Sequence, residues 1–443
     1  MKLSLRGRLV DHLKRLPRVL TNGDRLILAL ASIVLFVGLI GLFMHSASRP
    51  NSDIPVHGGE LVEGIVASSL ADVDKEVDAL TTIGLLRYNE KGEISPAIAD
   101  SYTVSDDGLS YVFKIHAGVN DASLVGLLKD PSSGIGTDDV TLSENHDVTI
   151  KLHTPYSPLL GNLTKPLFPY GPYEVQKRSQ SEILFTSRPD FVFGEPRIAK
   201  IRYKIYPSQD ALNRALQQGE VLAGSGIKDP VKGFTLYTVN LQRKNVVLFN
   251  LDRDPWKQKE LRSKIVHKET LAPTQKMVLT TLNDPQFLAK AQSLKDMYTP
   301  LGLDIEIRSV DALTMRDSVL AKRDFDVLLY GIDTGRDPDP FPFWHSSQIG
   351  GSGANVSGFI NKEVDSLLEQ SLFITNKDER QKKYDSVSKI IDEHAPVIYL
   401  DSTSVPYYAS TKIQGIKMGF GISEADRYSN VWEWYLLTKR VFK

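Results

Sequence analysis

The clearest structural pattern in the chain lies at residues 303–330, which read LDIEIRSVDALTMRDSVLAKRDFDVLLY. The first five residues, LDIEI, alternate apolar and polar side chains, as in a strand that is buried on one face. A charged stretch of helical character follows at 311–322, and the apolar run Phe325–Tyr330 comes next. A strand, a helix and a second strand in this order favour a right-handed parallel crossover. The segment therefore predicts an α/β fold.

Similar patterns on both sides extend this prediction over most of the chain. Alternating apolar positions predict strands around 109–115, 148–152 and 201–205. Apolar residues at helical spacing predict helices around 364–372 and 384–391, the second after a cap-like start at Thr375. Together these segments describe a large α/β body.

A further helix is predicted at 209–218, because both of its ends carry stop signals. Ser208 is a suitable N-cap, since its hydroxyl can accept a hydrogen bond from the first turn. Gly219 is a suitable C-terminal stop, since glycine tolerates the left-handed conformation there.

Composition and charge exclude several classes of protein. The chain has 443 residues, of which 41% are hydrophobic and 24% charged, as in ordinary globular proteins. It has 53 basic and 54 acidic residues, which argues against a nucleic-acid-binding protein. It has no cysteine, which excludes disulfides, a thiol nucleophile, cysteine-ligated zinc and a lipid-bearing N-terminal cysteine.

The N-terminal region combines a basic segment with an apolar run. Residues 1–25 contain seven basic and two acidic residues, and residues 26–44 contain no charge. At about 1.5 Å per residue this run approaches the thickness of a bilayer core. The pattern predicts a single-pass transmembrane helix at 26–45, with a cytoplasmic amino end and an extracytoplasmic body. A signal peptide cleaved near residues 46–48 and a buried core helix are the alternatives.

The sequence contains no standard catalytic motif. The phosphate-binding loop, the dinucleotide-binding loop, the zinc-protease pair and the serine elbow are all missing from it. Asp333, Asp337 and Asp339 lack the glycine and distal glutamate of the known calcium loop. We therefore expect a protein that is not an enzyme and that has no metal and no cofactor.

Several separated motifs resemble those of one protein family. They are GGELVEG at 58–64, SDDGLSYVF at 105–113, ALNRALQQGEV at 211–221, FDVLLYGIDTGRDPD at 325–339, NVSGF at 355–359 and APVIYL at 395–400. In this order they resemble the family 5 extracellular solute-binding proteins. These are the peptide-, nickel- and sugar-binding receptors of ABC importers.

The resemblance implies an α/β fold with two lobes, a hinge, and a ligand enclosed between the lobes, preceded here by one transmembrane helix. The expected organisation is a basic cytoplasmic segment at 1–25, a transmembrane signal anchor at 26–45, a linker at 46–57, lobe I at 58–245 with a subdomain at 76–165, lobe II at 246–399, and a C-terminal return to lobe I at 400–443.

The sequence also departs from the family pattern. Residues 120–140 are expected to form only a loop, where the family continues with a longer segment and a helix. The pattern also shortens after Glu260, and the family's lipid-anchored cysteine is absent. The sequence therefore predicts a shortened, membrane-anchored variant.

The resemblance implies a carboxylate that binds the ligand's amine. In peptide-binding members it is three residues before the DPD segment, which is the position of Thr334. Asp333 is one residue earlier, and we predict that it is the amine anchor, with a capping or solvated aspartate as the alternative. Asp337 and Asp339 are expected to shape the turn rather than contact ligand.

Four more residues complete the predicted ligand site. Arg336 is a candidate partner for a ligand carboxylate, although an exposed loop arginine is the simpler interpretation. Phe343 and Trp344 are candidates for an apolar wall, with a plain core role as the alternative. Glu63 is included because the family's first strand approaches the ligand.

These observations lead to one main functional hypothesis and two others. The main one is a monomeric receptor that captures an oligopeptide or another small solute and delivers it to an ABC permease. The second is a degenerate surface sensor, adhesion or scaffold protein, which direct packing between the lobes would favour. The third is an extracytoplasmic hydrolase, which an acid–base pair in the cleft would support.

Overall fold

The computed structural model describes residues 21–47, 51–89, 91–130, 139–227, 230–335, 337–351, 353–374, 376–418 and 420–442. The chain forms two compact units. One combines the chain up to Val56 with the chain from Leu437, and the other is the body His57–Leu436. Each unit is described by itself below.

The strands of the described residues follow each other in chain order as β1 (Asn51–Val56), β2 (Glu60–Val66), β3 (Leu86–Tyr88), β4 (Ile94–Pro96), β5 (Ala99–Val104), β6 (Ser110–Ile115), β7 (Val140–Leu142), β8 (Asp147–Lys151), β9 (Tyr173–Arg178), β10 (Glu182–Ser187), β11 (Lys200–Tyr206), β12 (Ala223–Ser225), β13 (Phe234–Phe249), β14 (Gln275–Leu282), β15 (Leu303–Val310), β16 (Val327–Asp333), β17 (Val397–Ser410), β18 (Phe420–Gly421) and β19 (Leu437–Phe442).

The helices are α1 (Asn22–Ala47), α2 (Asp74–Thr81), α3 (Asp121–Lys129), α4 (Leu159–Asn162), α5 (Gln209–Gln218), α6 (Lys259–Val266), α7 (Pro285–Tyr298), α8 (Ala312–Thr314), α9 (Phe341–Trp344), α10 (Lys362–Leu372) and α11 (Lys377–His394). A π-helical turn, Met315–Leu320, continues α8.

The first unit contains α1 and a two-stranded antiparallel sheet, in which β1 pairs with β19. Thr21 and Asp24 cap α1 reciprocally, through the Asp24 amide on the Thr21 hydroxyl and the Thr21 amide on the Asp24 carboxylate. The predicted helix is therefore present. A search of the described residues finds no helix with both the length and the apolarity needed to cross a membrane. The transmembrane part of the prediction for 26–45 is thus not confirmed.

One large sheet of the body explains its two lobes. Its strands follow the order β15-β14-β16-β13-β17-β12-β2-β11-β10-β9, with β18 paired to β13. The long strands β13 and β17 are antiparallel and lie in the middle. One half of the sheet belongs to the predicted lobe II and the other half to lobe I. We call β13 and β17 the crossing strands, because they connect the two halves.

Parallel pairing on each side confirms the α/β class. In lobe I, β2 is parallel to β11 and β12. In lobe II, β14 is parallel to both β15 and β16, so the strand–helix–strand segment at 303–330 forms the parallel unit that its pattern predicts. The two strands of that unit are separated by β14, which inserts between them.

The strand period of two explains how the sheet of lobe II is buried on both faces. In β13, Val247 and Phe249 pack into one core, with α7 and β15. Val246 and Leu248 pack into the core on the other face, with α10 and α11. A continuous apolar run therefore forms a central strand here.

A smaller subdomain lies within the predicted range 76–165. Its four-stranded antiparallel sheet has the order β5-β6-β8-β7. Helix α3 covers it with Leu124 and Leu128, which are fully buried. This helix corrects the prediction of a loop at 120–140. Asn120 caps it by accepting a hydrogen bond from the Ser123 amide at 3.0 Å, and the i, i+4 leucine pair supplies its buried face.

Two other helices test the capping residues that the sequence predicts at helix ends. Helix α5 begins and ends as predicted, with the Ala211 amide bonded to the Ser208 hydroxyl at 3.2 Å and Gly219 at φ 74°. Helix α11 is capped by Asn376, whose side chain accepts hydrogen bonds from two backbone amides. The predicted cap-like residue, Thr375, lies outside the described residues.

Candidate ligand cavity at the crossing strands

A cavity of about 240 Å³ lies beside the crossing strands, on the lobe II side. Its walls are the strands β13, β16 and β17, the 334–344 segment and helix α11. The lining combines two charged residues with amide, hydroxyl, apolar and aromatic groups: Gln242, Lys244, Ile332, Thr334, Pro338, Asp339, Pro340, Phe343, Trp344, Gln381, Tyr384, Val387, Ser388, Ile391 and Tyr399.

Local hydrogen bonds attach the 334–344 segment to the sheet. The Thr334 amide and hydroxyl both donate to the Gln242 carbonyl, at 3.0 and 3.1 Å. Gly335 then reverses the chain at φ 75°, a conformation that glycine adopts without strain. The Phe341 amide donates to the Asp339 carboxylate at 2.9 Å, where α9 begins. The segment is therefore attached to the sheet at its first residue and stabilised by an internal hydrogen bond where α9 begins.

Aromatic side chains form one wall of the cavity. Trp344 is 5% exposed and packs edge-on against Phe359, with ring centres 5.9 Å apart. The Lys244 ammonium lies 5.6 Å from the centre of the Tyr399 ring, within the range of a cation–π contact. Desolvation by the surrounding protein raises the pKa of Tyr399 to about 12, although 44% of the residue remains exposed.

Two carboxylates lie in the 334–344 segment, and one of them, Asp339, lines the cavity. Burial raises the pKa of Asp339, which is a lining residue and accepts a hydrogen bond from the Tyr384 hydroxyl at 3.3 Å. Burial also raises the pKa of Asp337, whose carboxylate pairs with Arg380 at 2.8 Å. The Asp339 carboxylate and the Lys244 ammonium are thus two opposite charges that face a partly apolar cavity.

The structure brings together three of the residues that the sequence predicts. Thr334, Phe343 and Trp344 line the cavity. Asp333 is outside the lining, at the end of β16, and its side chain is 57% exposed and 3.9 Å from Arg243. Arg336 lies outside the described residues.

Glu63 is in a different place. Its side chain is fully buried in lobe I, where it forms a 3.0 Å ion pair with the equally buried Arg427. The Tyr407 hydroxyl donates to its other oxygen at 3.2 Å. This carboxylate neutralises a buried guanidinium and does not line the cavity.

Sequence reasoning missed several lining residues. Side chains at every second position of a strand lie on the same face, so Gln242 and Lys244 share a face of β13 with the buried Val246. Counting back from Val246 would have identified both. Tyr399 follows the buried Val397 by the same rule. Asp339 was expected to shape the turn, which it does, and it also lines the cavity.

A second cavity of about 190 Å³ lies beside Arg243, Asn245 and the start of α7. Lys290 and Asn245 both donate to the Asp401 carboxylate. Although partial burial acts to raise the pKa of Asp401, these hydrogen bonds together lower it. In this cavity Lys290 and Asp401 therefore pair with each other, and Arg243 lies 3.9 Å from Asp333.

Comparison with known proteins identifies relatives of the chain. No protein-family model matches it. It is 29% identical over 151 residues to the probable D,D-dipeptide-binding periplasmic protein DdpA of Escherichia coli, which covers 33% of this chain and 29% of that protein. It is 20% identical over 517 aligned positions to the oligopeptide-binding protein AppA of Bacillus subtilis, which covers 88% and 94%.

Solved structures agree on the fold. The ABC transporter substrate-binding protein CtaP of Listeria monocytogenes has a TM-score of 0.73 and 18% identity, over 86% of this chain and 99% of that one. NikZ of Campylobacter jejuni, in complex with Ni(L-His), has a TM-score of 0.66 and 18% identity, over 85% and 99%. The relatives and structural neighbours are family 5 solute-binding proteins of ABC transporters. The chain shares the two-lobed fold of that family.

Proposed function

We propose that the body His57–Leu436 is a receptor that binds a peptide-like solute and delivers it to an ABC permease, without catalysis. The observation that carries this proposal is the cavity beside the only two strands that connect the two halves of the large sheet in the described part of the chain. A ligand bound there contacts the two strands that connect the lobes, and it would favour the lobe arrangement in which it makes more contacts.

The lining supports a peptide-like solute. Asp339 can receive an amine, Lys244 a carboxylate, and the amide and hydroxyl groups a peptide backbone. Small-molecule sites typically have apolar and aromatic walls with a small number of polar groups, as this cavity has. The names of DdpA and AppA also point to peptides, and NikZ makes a nickel chelate the second class to test.

The contact residues that we propose are Thr334, Phe343 and Trp344, together with one carboxylate for the amine. Asp333 is the choice from the sequence, and Asp339 is the choice from the cavity. When the ligand's amine is buried, it needs a carboxylate as its partner, because an unpaired buried charge is costly. The two aspartates therefore form a matched pair for mutation.

Thermal unfolding of the purified full chain tests the proposal. A solute at 100 times its dissociation constant adds about 2.7 kcal/mol of stability. We expect peptides to stabilise the wild type, and nickel–histidine and oligosaccharides to serve as comparison classes. Loss of the effect in Asp339→Asn but not in Asp333→Asn assigns the amine to Asp339, and the reverse result assigns it to Asp333. A folded protein that no class stabilises would refute the receptor function.

We also propose that the protein is located at the cell membrane as a single-pass protein, with the amino end in the cytoplasm and the body outside. The basic segment 1–25 before the apolar run supports export of the body. Protease added to intact cells or spheroplasts should cleave the body. Alkaline carbonate extraction then distinguishes a retained from a released protein, and a protease-resistant body would contradict the proposal.

One observation favours the second candidate, a surface protein that does not transport. Ser157 of lobe I donates directly to the carbonyl groups of Ser371 and Leu372 of lobe II. Such direct bonds hold the lobes together through protein atoms alone. The same unfolding experiment separates the two candidates, because only the receptor gains stability from a small solute.

A further inference from the structure

A short segment of lobe I, residues 156–162, reaches lobe II next to the cavity, and we call it the latch segment. The Ser157 amide donates to the Leu372 carbonyl at 3.0 Å, and its hydroxyl donates to the Ser371 carbonyl at 3.1 Å. Ser157 is buried in this contact. These two bonds are made to the end of α10, so they connect residues more than 200 positions apart in the sequence.

Gly161 allows the latch segment to lie close to residues 337–339, which we call the DPD turn. A Cβ atom at this position would lie only 2.8 Å from the Cβ of Asp337 and 3.2 Å from the Tyr88 hydroxyl. Carbon atoms do not approach each other so closely without displacement. The contact between the latch segment and the DPD turn therefore requires glycine.

The DPD turn is buried beneath this contact. The Asp337 side chain is 6% exposed and its ion-pair partner Arg380 is 12% exposed. One oxygen of Asp337 has no hydrogen-bond partner in the described part of the protein. Tyr156 of the latch segment is close enough to interact electrostatically with Asp337, Asp339 and Arg380.

The latch segment and the cavity share one wall. Pro338 and Asp339, which follow Asp337 directly, line the cavity, and so does Tyr384, which bonds to Asp339. The cavity volume of about 240 Å³ is below the range of about 300–1,000 Å³ that holds drug-sized ligands. An extended tetrapeptide, by contrast, is about 13 Å long.

We propose that the latch segment limits the solute to the size of one amino acid or a dipeptide, and that extended peptides are excluded. This inference rests on the proposed function, because it names the size class of the solute at the same cavity. Release of the latch would separate the DPD turn from lobe I and open that wall.

Peptide pools of two lengths test the inference on the full chain. The probes are mixed dipeptides and mixed hexapeptides at equal concentration, with bound species detected by native mass spectrometry. For the wild type we expect dipeptides to bind at least about tenfold more tightly than hexapeptides. Gly161→Ala, which places a methyl group against Asp337, should reduce this difference to less than about threefold.

Gly126→Ala is the matched control. It lies in α3 of the same subdomain, and a Cβ atom there meets nothing within 4 Å. It should retain the length preference of the wild type. A change as large as that of Gly161→Ala would show that the preference does not depend on the latch contact.

Hydrogen exchange at the Ser157 amide gives a readout that is independent of any solute. We expect protection in the wild type and in Gly126→Ala, and faster exchange in Gly161→Ala. Fast exchange in the wild type would overturn the latch. Equal binding of both pools would overturn the size limit and leave the receptor function intact. Binding of neither pool to a folded wild type would overturn the size limit and exclude peptides as the solute, and the unfolding experiment with the other solute classes would then decide the receptor function.

Discussion

Two buried arginine–carboxylate pairs in the body differ in how completely their polar atoms are satisfied. In lobe I, Glu63 and Arg427 have no exposed side-chain surface, and both oxygens of the carboxylate accept hydrogen bonds. Beside the cavity, Asp337 and Arg380 retain slight exposure, and one carboxylate oxygen has no partner in the described residues. The first pair stabilises a core, and the second lies where two lobes meet.

Burial alone therefore does not identify a ligand site. A fully paired charge that lines no cavity, such as the Glu63–Arg427 pair, is a structural feature, because removal of either partner leaves the other uncompensated. An incompletely paired carboxylate at a movable contact can change its environment when the lobes move.

The largest effect is expected for Arg427→Met. It leaves the Glu63 carboxylate buried without a cation, so the free energy of unfolding should fall by about 3–5 kcal/mol. Urea unfolding measures the change. The double variant Glu63→Gln with Arg427→Met should recover part of the loss, and no recovery would contradict the pairing.

Arg380→Met should cost less, roughly 1–3 kcal/mol, because this pair retains contact with solvent. The same unfolding measurement applies. The variant should also speed hydrogen exchange at Ser157, because Asp337 and the latch segment are in contact. A loss equal to that of Arg427→Met would remove the contrast between the two pairs.

A pH dependence follows from Asp339. Burial raises its pKa in the folded state, so the folded state binds its proton more tightly than the unfolded state. Its contribution to stability is therefore greatest below the unfolded pKa of about 3.9 and is lost as the pH rises through the folded value. Relative to Asp339→Asn, the wild type should lose stability between pH 4 and pH 7, as chemical denaturation at several pH values would show. Parallel stability curves would refute this expectation.

The smallest effect is expected for Asp333→Asn. Its side chain is 57% exposed and its distance to Arg243 is long for an ion pair. The unfolding midpoint should move by less than about 2 °C. A larger shift would show that Asp333 belongs with the buried pairs.

Local patterns predicted several strands and helices of the lobes. Helix α5 has both its N-cap, Ser208, and its terminal Gly219 within one short segment. The strand–helix–strand unit at 303–330 could be predicted because apolar and polar residues alternate in its first strand and its second strand is an apolar run. Helix α3 was missed, because its two buried leucines were outweighed by the polar, glycine-rich residues that surround them.

The candidate site was predicted only in part, for a physical reason. Thr334, Phe343 and Trp344 are close together in the chain, and a motif was enough to select them. Lys244, Tyr384 and Tyr399 reach the same cavity from separate elements, and no local pattern connects them. Asp333 and Asp339 are six residues apart, and only the turn between them places one in the cavity.

The α/β class, the strand and helix periods and the resemblance to solute-binding proteins can be recognised before the fold is known, because they depend on neighbours along the chain. The pairing of Glu63 with Arg427, 364 positions away, and the bonds of Ser157 to lobe II, 214 positions away, are visible only in the folded protein. Such contacts arise from the packing of the whole sheet. The burial that gives Asp339 and Asp337 their raised pKa therefore exists only in the folded protein.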